Sequence, residues 1–214
     1  MLTVGSGLGT CQWPVRSAVG GRRSEYSSPG ILTRMMSLAF PLRTPRLTLR
    51  PHHEADVDWL YRVYSQPEVA RYLLDDPSSV EDAEKRVCDR ISHNDLDGQS
   101  GSLALVIERE HLPIGDVLLW FTDRERRVSE IGWVVDPNHG GHGFATEAVR
   151  AVLNLAFGRY RLHRVTAQMD ARNTASAKLA HNAGMHREAH LRQDCWNKGE
   201  WTDTLIFGRL ATDQ

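Results

Sequence analysis

Between Asp136 and Ala148 the chain reads Asp-Pro-Asn-His-Gly-Gly-His-Gly-Phe-Ala-Thr-Glu-Ala, with Gly140, Gly141 and Gly143 crowded between an apolar run and the start of a helical pattern. A strand that enters a side-chain-poor turn and then a helix leaves several backbone N–H groups unpaired at the positive end of the helix dipole. Such a point binds phosphate. Each hydrogen bond from an amide to a charged phosphate contributes roughly 1.5–3 kcal/mol, so three or four aligned amides anchor a pyrophosphate without a lysine. The same glycines also suit a tight turn with no ligand, and the cluster alone leaves both readings open.

Other chemistry-bearing residues are fewer. Glu130 lies in Ser129-Glu130-Ile131-Gly132-Trp133-Val134-Val135, where strand alternation puts it on one face with Gly132 and Val134. It is either a solvated carboxylate or a proton acceptor turned into a cleft. Asn173 and Ser176 open a later helix, where Asn173 suits the N-cap with Ser176 three residues on. His139 and His142 stand three apart in the turn without further ligands at metal spacing, so no metal is expected. Trp59, Trp120, Trp133, Trp196 and Trp201 are residues that more often pack cores and hairpins than line substrate pockets.

Composition narrows the partners. A chain of 214 residues fits one domain with a real core. Lys and Arg (26) nearly match Asp and Glu (27), for a net charge of −1, which speaks against a nucleic-acid-binding face and a polybasic membrane anchor. Cys11, Cys88 and Cys195 are odd in number and widely spaced, so a reducing, cytoplasmic compartment is expected, with Cys88 and Cys195 structural. No apolar run approaches the ~20 residues of a membrane span.

Residues 1–37, rich in Gly, Ser and Arg, show no sustained period and read as a disordered or non-native extension, with Met35 or Met36 as alternative starts. The domain proper is expected over 38–214. Its first strand is Leu42–Pro51, followed by helices over 55–65, 67–72 and 80–91, the last capped by Ser78 or Ser79. Strands at 102–108, 114–122 and 128–135 have short linkers and form an antiparallel meander. A helix over 144–160, a strand at 164–170, a helix over 174–183 and a hairpin of strands 186–195 and 201–210 complete the chain. That order predicts an α/β (α+β) fold with a mixed, mostly antiparallel central sheet and helices on both faces.

From Leu42 to Leu210 the sequence resembles the GNAT acetyltransferases, and more narrowly the RimJ/RimL-like branch that acetylates protein N-termini or small amines. The resemblance rests on the strand Ser129–Val135 running into Gly140-Gly141-His142-Gly143-Phe144-Ala145, on Ala145-Thr146-Glu147-Ala148, and on Asn173-Thr174-Ala175-Ser176 opening a helix that ends Asn182-Ala183-Gly184-Met185. It departs from the family twice. Gly140 stands where relatives carry Gln or Arg, and Ala180 where many carry the tyrosine that protonates the leaving thiolate.

The resemblance implies acetyl-CoA as co-substrate. Its pyrophosphate would sit on the turn at Gly141, His142, Gly143, Phe144, Ala145 and Thr146, and its pantetheine would pair with Val134 and Val135 beside a splayed strand edge. It implies Glu130 as general base, Asn173 orienting the pantetheine and Ser176 donating to the thiolate. The acceptor, a peptide N-terminus or small-molecule amine, would lie between the first helices and the last hairpin, near Trp59, Tyr72 and Trp196. Relatives often dimerise, which leaves a homodimer open. A non-catalytic module that binds acetyl-CoA and reports it to a partner is the other reading. A nucleotide-phosphate enzyme is disfavoured because no Gly-Lys-Ser/Thr follows the turn.

Overall fold

The computed structural model describes residues 40–213; the extension read over residues 1–37, and Cys11 with it, lie outside them. The described chain opens as a hairpin. Strand β1 (Leu42–Arg43) folds back on β2 (Thr48–Pro51), with Leu42 opposite Leu49. The single strand expected over this stretch is broken by a turn at Pro45. There the Thr44 N–H donates to the Leu47 carbonyl at 2.9 Å, and Thr44 Oγ1 accepts from the Leu47 amide at 3.0 Å. The apolar positions change parity across Pro45, from Leu42 to Leu47 and Leu49, and that slip marks the turn.

A 3-10 turn (Glu54–Asp56) leads into α1 (Val57–Tyr64), and α2 (Pro67–Ala70) starts on a proline and stops two residues short of Tyr72. Helix α3 (Val80–Ile91) carries a capping box: Ser79 Oγ accepts from the Asp82 amide at 3.1 Å, while the Asp82 carboxylate takes the Ser79 N–H at 2.9 Å. A two-residue strand absent from the sequence reading, β3 (Asn94–Asp95), pairs with β4 (Ser102–Arg109). Strands β5 (Leu112–Asp123) and β6 (Val128–Val135) continue the meander. Then follow α4 (Phe144–Gly158), β7 (Arg164–Asp170), α5 (Thr174–Asn182), β8 (His186–Asn197) and β9 (Glu200–Leu210).

The strands form one sheet in the order β1-β2-β4-β5-β6-β7-β9-β8, with β3 beside β4. Every pairing is antiparallel except β6 with β7, as a strand, helix, strand crossover through α4 requires. Helices cover both faces. The stripe Phe144, Ala148, Val149, Val152, Leu153 and Ala156 of α4 packs with Leu103, Leu105, Ile107, Leu119 and Ile131 in the larger core. On the other face Trp59, Leu60, Val63 and Tyr64 of α1 join Ala83 and Val87 of α3, with Val134 packed against them. Strand β6 divides by alternation, Ile131, Trp133 and Val135 going to the α4 side and Val134 to the α1/α3 side.

One irregularity organises the rest. Strands β6 and β7 pair only at Val128 with Arg164, Ser129 with Val165 and Glu130 with Thr166. Beyond that point β6 stays with β5 as far as Val135 opposite Gly115, and β7 stays with β9 as far as Asp170 opposite Thr204. The two strands diverge, leaving one edge of β6 unpaired from Ile131 to Val135.

Candidate active site

The glycine turn stands at the open end of that wedge. Asp136, buried at 5% exposure, shapes its entry by accepting from both the backbone amide and the side-chain amide of Asn138 at 3.0 Å. The short 3-10 turn Pro137–His139 follows, closed by the Gly140 N–H on the Pro137 carbonyl at 3.0 Å. Gly141 and Gly143 both have φ +77°, a conformation that a Cβ strains, so these two positions need glycine. Gly143 caps α4 without a side-chain bond. The backbone N–H groups from Gly141 to Thr146 make no hydrogen bond to any described residue, and a Cβ on Gly141 would meet no atom within 4 Å. Unspent amides beside open space suit a pyrophosphate.

The first hairpin holds this turn from outside. Arg46 Nε pairs with Glu147 Oε2 at 2.6 Å, Arg46 Nη1 donates to the His142 carbonyl at 3.0 Å, and Thr44 Oγ1 donates to Glu147 Oε1 at 2.6 Å. The guanidinium groups of Arg46 and Arg109 lie 4.7 and 4.8 Å from the Phe144 ring centre. Neither arginine was singled out in the sequence, since only the hairpin and the β4–β5 turn bring them to α4.

At the apex of the wedge Glu130, the last paired residue of β6, faces the α1/α3 side together with Gly132 and Val134. Gln168 Nε2 of β7 donates to Glu130 Oε2 at 3.1 Å. Burial pushes the Glu130 carboxyl up to about 7, against the opposing pull of the Gln168 bond. That is where a general base works best at neutral pH. Trp120 of β5 stands directly across from Glu130, and its six-membered ring would lie 3.4 Å from a Cβ on Gly132. The glycine thus admits an aromatic wall beside the carboxylate, a use of Trp120 that only the strand register reveals.

Ser176 and Asn173 come to the wedge from the opposite strand end. The Asn173 side chain caps α5 by accepting from the Ser176 amide at 3.0 Å, so its oxygen serves the helix. Ser176 Oγ accepts from the Trp133 indole N–H at 3.3 Å, which leaves its own O–H available as a donor. Ala180 is fully buried in the larger core.

The three aromatic residues expected at the acceptor site sit in different surroundings. Trp59 is 4% exposed within the α1/α3 core, its indole nitrogen buried without a partner among the described residues. Tyr72 is half-buried under the Arg71 guanidinium, 5.5 Å from its ring centre. Trp196, 47% exposed, stacks edge-on against Trp201 across the last hairpin at 5.4 Å. The hairpin docks instead through Lys198 Nζ on the Ala70 carbonyl at 2.6 Å and Asn197 Nδ2 on the Leu73 carbonyl at 3.2 Å. Beside this contact lies a cleft of about 690 Å³ lined by Pro67, Arg71, Asp76, Arg172, Lys198 and Glu200.

A buried polar network anchors α1 and α3 to the sheet. Asp116 of β5 accepts from the Tyr64 hydroxyl at 2.9 Å and from Arg90 of α3, and Arg90 Nη2 donates to the same hydroxyl at 2.9 Å. Asp56 accepts a two-pronged pair from Arg50 at 2.8 Å. Burial works to raise the Asp56 carboxyl, but the Arg50 pair and the His53 amide outweigh it and hold the group below its ordinary range. His52 sits between them, 3.8 Å from Asp116 and 4.0 Å from Asp56, with both ring nitrogens buried and unbonded. Burial, reinforced by Arg90, pushes its imidazole down to about 3.

Among the described residues, no group of three or more His, Cys, Asp or Glu stands close enough to hold a metal ion, and no helix is long and apolar enough to cross a membrane. Neither Cys88 nor Cys195 is in a disulfide.

Comparison with known proteins follows the same geometry. Residues 46–186 match the family model described as an acetyltransferase (GNAT) domain. An uncharacterized N-acetyltransferase, p20 of Bacillus licheniformis, is 31% identical over 172 residues, covering 80% of this chain and 97% of that protein. A GNAT-family acetyltransferase structure from Bacillus anthracis superposes with a TM-score of 0.72 at 24% identity, covering 80% of this chain and 99% of that one. The spermidine N-acetyltransferase of Vibrio cholerae, solved with CoA and spermine, gives a TM-score of 0.69 at 22% identity, over 79% of this chain and 98% of that one.

Proposed function

Because the chain belongs to the GNAT acetyltransferase family, we propose that it transfers acetyl from acetyl-CoA to a primary amine by direct attack in a ternary complex. The observation that carries the reading is the wedge itself: an unpaired β6 edge that ends at a carboxyl held near 7 and opens at a turn of unspent amides. Acetyl-CoA, when bound, supplies an acetyl group activated as a thioester. The amides from Gly141 to Thr146 hold its pyrophosphate, and the β6 edge at Val134 and Val135 offers main-chain partners to its pantetheine. Gly140 contributes no side chain, so the cradle relies on backbone.

Glu130 takes a proton from the attacking amine, directly or through a water, and the Ser176 hydroxyl donates a hydrogen bond to the departing thiolate, which takes its proton from solvent. The Trp133 bond turns the serine oxygen so that its hydrogen points away from the indole. An α-amine with pKa near 7.7–8.0 is roughly a tenth or more neutral at pH 7, whereas lysine near 10.4 is neutral in under about one part in a thousand. A base near 7 therefore suits a peptide N-terminus or a weakly basic small amine, the acceptors of the RimJ/RimL-like branch, acting in the cytoplasm.

Thiol release from acetyl-CoA across a panel of peptides and small amines tests the reading. We expect turnover with at least one α-amine and its loss in Glu130→Gln. Tight acetyl-CoA binding with no turnover on any amine would leave a binding module in place of an enzyme.

A further inference from the structure

Gln168 is half-buried on β7 where the backbone ladder between β6 and β7 has just stopped. Had the parallel pairing continued, Gln168 would stand opposite Gly132, two positions beyond the Glu130 and Thr166 pair. In place of a main-chain bond, its side chain crosses back to Glu130 at 3.1 Å. Its own carbonyl oxygen is buried without a partner among the described residues. A buried acceptor left unbonded destabilises the fold, and an arrangement that keeps one has a use for it.

Among the described residues, the surroundings of Glu130 offer no other fixed partner. Across β5 stands Trp120, which has no charge, and across β7 stands Thr166, whose hydroxyl donates to the Ser129 carbonyl at 3.4 Å. Asp170, farther along β7, is locked to Arg172 at 2.7 Å. No charged group shifts the carboxyl; only burial and the Gln168 bond act on it.

We propose that Gln168 is the positioning residue for Glu130, an amide clasp across the apex of the wedge that keeps the base in one place through both of its protonation states. This rests on the acetyl-transfer reading above. The chemistry explains why the residue is a neutral amide. Glu130 as carboxylate accepts from Nε2. When an N–H bond of the amine breaks and an O–H bond forms on Glu130, a half-turn of the amide presents Oε1, now as acceptor for the new carboxylic acid. A lysine or arginine here would hold the carboxyl ionised and too weak a base, and a second carboxylate would repel it. A neutral amide favours the carboxylate only modestly, through one N–H bond, and still holds the acid.

The test uses Gln168→Met, which keeps the length and removes both hydrogen-bonding groups, and Gln168→Asn, which keeps the amide but cannot reach. The Glu130 carboxyl is titrated by 13C NMR, its signal assigned by loss in Glu130→Gln, alongside the acid limb of kcat/KM. Calorimetric CoA affinity serves as the control for folding. We expect the titration midpoint to rise by about one pH unit in both variants, which is about tenfold less ionised base below pH 7, with CoA affinity kept. An unchanged midpoint in both overturns the proposal, whatever the activity. Retained activity in Glu130→Gln would instead overturn the role of Glu130 as base, and the midpoint would still decide whether Gln168 clasps it.

Discussion

The two ends of the wedge are built from different materials. At the proposed cofactor end the groups on offer are backbone amides, exposed by Gly141 and Gly143 and backed by the Arg46 and Glu147 pair. At the proposed acceptor end they are side chains: Glu130, Gln168 and Trp120, with α1 and α3 fixed by a buried network of Asp116, Arg90, Tyr64, Asp56 and Arg50. A backbone site depends on local conformation and reads one shape of ligand. A side-chain site depends on register between distant strands, and its residues change without altering the fold.

That contrast can be broken by experiment. At the proposed cofactor end, Gly143→Glu puts a carboxylate where phosphate belongs and a Cβ at φ +77°, so CoA affinity by calorimetry should fall by about 10²–10⁴-fold, the worth of one or two charge-assisted bonds. Unchanged affinity would mean that the backbone end is not the cradle. At the other end, Glu130→Gln should lower kcat by about 10²–10⁴-fold while CoA affinity holds, the usual span of a general base. Affinity falling with rate would show the two ends to be one site.

Smaller effects sharpen the acceptor end. Arg50→Met leaves Asp56, 1% exposed, without its partner, and should cost about 3–5 kcal/mol in denaturant unfolding. His52 gives a pH signature. Its folded value near 3 lies below the ordinary 6.5, so between these limits the unfolded chain binds a proton that the folded chain refuses, and stability falls as pH falls. From pH 7 to 5 the loss should be about 2 kcal/mol, and His52→Phe should flatten that part of the curve. Asn173→Ala, the smallest, should cost about 1 kcal/mol of stability as a lost cap with little change in kcat; a large fall in kcat would instead support the pantetheine role that the family resemblance implies.

What the sequence disclosed follows the same division. The glycine turn, the capping box at Ser79 and Asp82, and the stripe of α4 are written in residues close along the chain, so local pattern finds them. The β1–β2 hairpin was legible too, in the parity slip across Pro45, which a reading of one strand over Leu42–Pro51 passes over. Gln168 and Trp120 gave no local signal. Each reaches Glu130 only through strand pairing, and a glutamine or tryptophan in an alternating strand looks like any other. The family resemblance names Trp59 and Trp196 near the acceptor, but how far each is covered depends on the packing of α1 and the course of the last hairpin, which leave Trp59 buried and Trp196 half-exposed against Trp201.

The three register pairs joining β6 to β7 have a mechanical meaning. They rivet the two halves of the sheet at one end, so any small rotation about them becomes a displacement that grows with distance along the arms. The Lys198 and Asn197 contacts lie far out on such an arm and tie it to the first helices. Cutting that tie with Lys198→Ala lengthens the free lever, and faster amide hydrogen exchange along β6 from Ile131 to Val135 is how the slack would register.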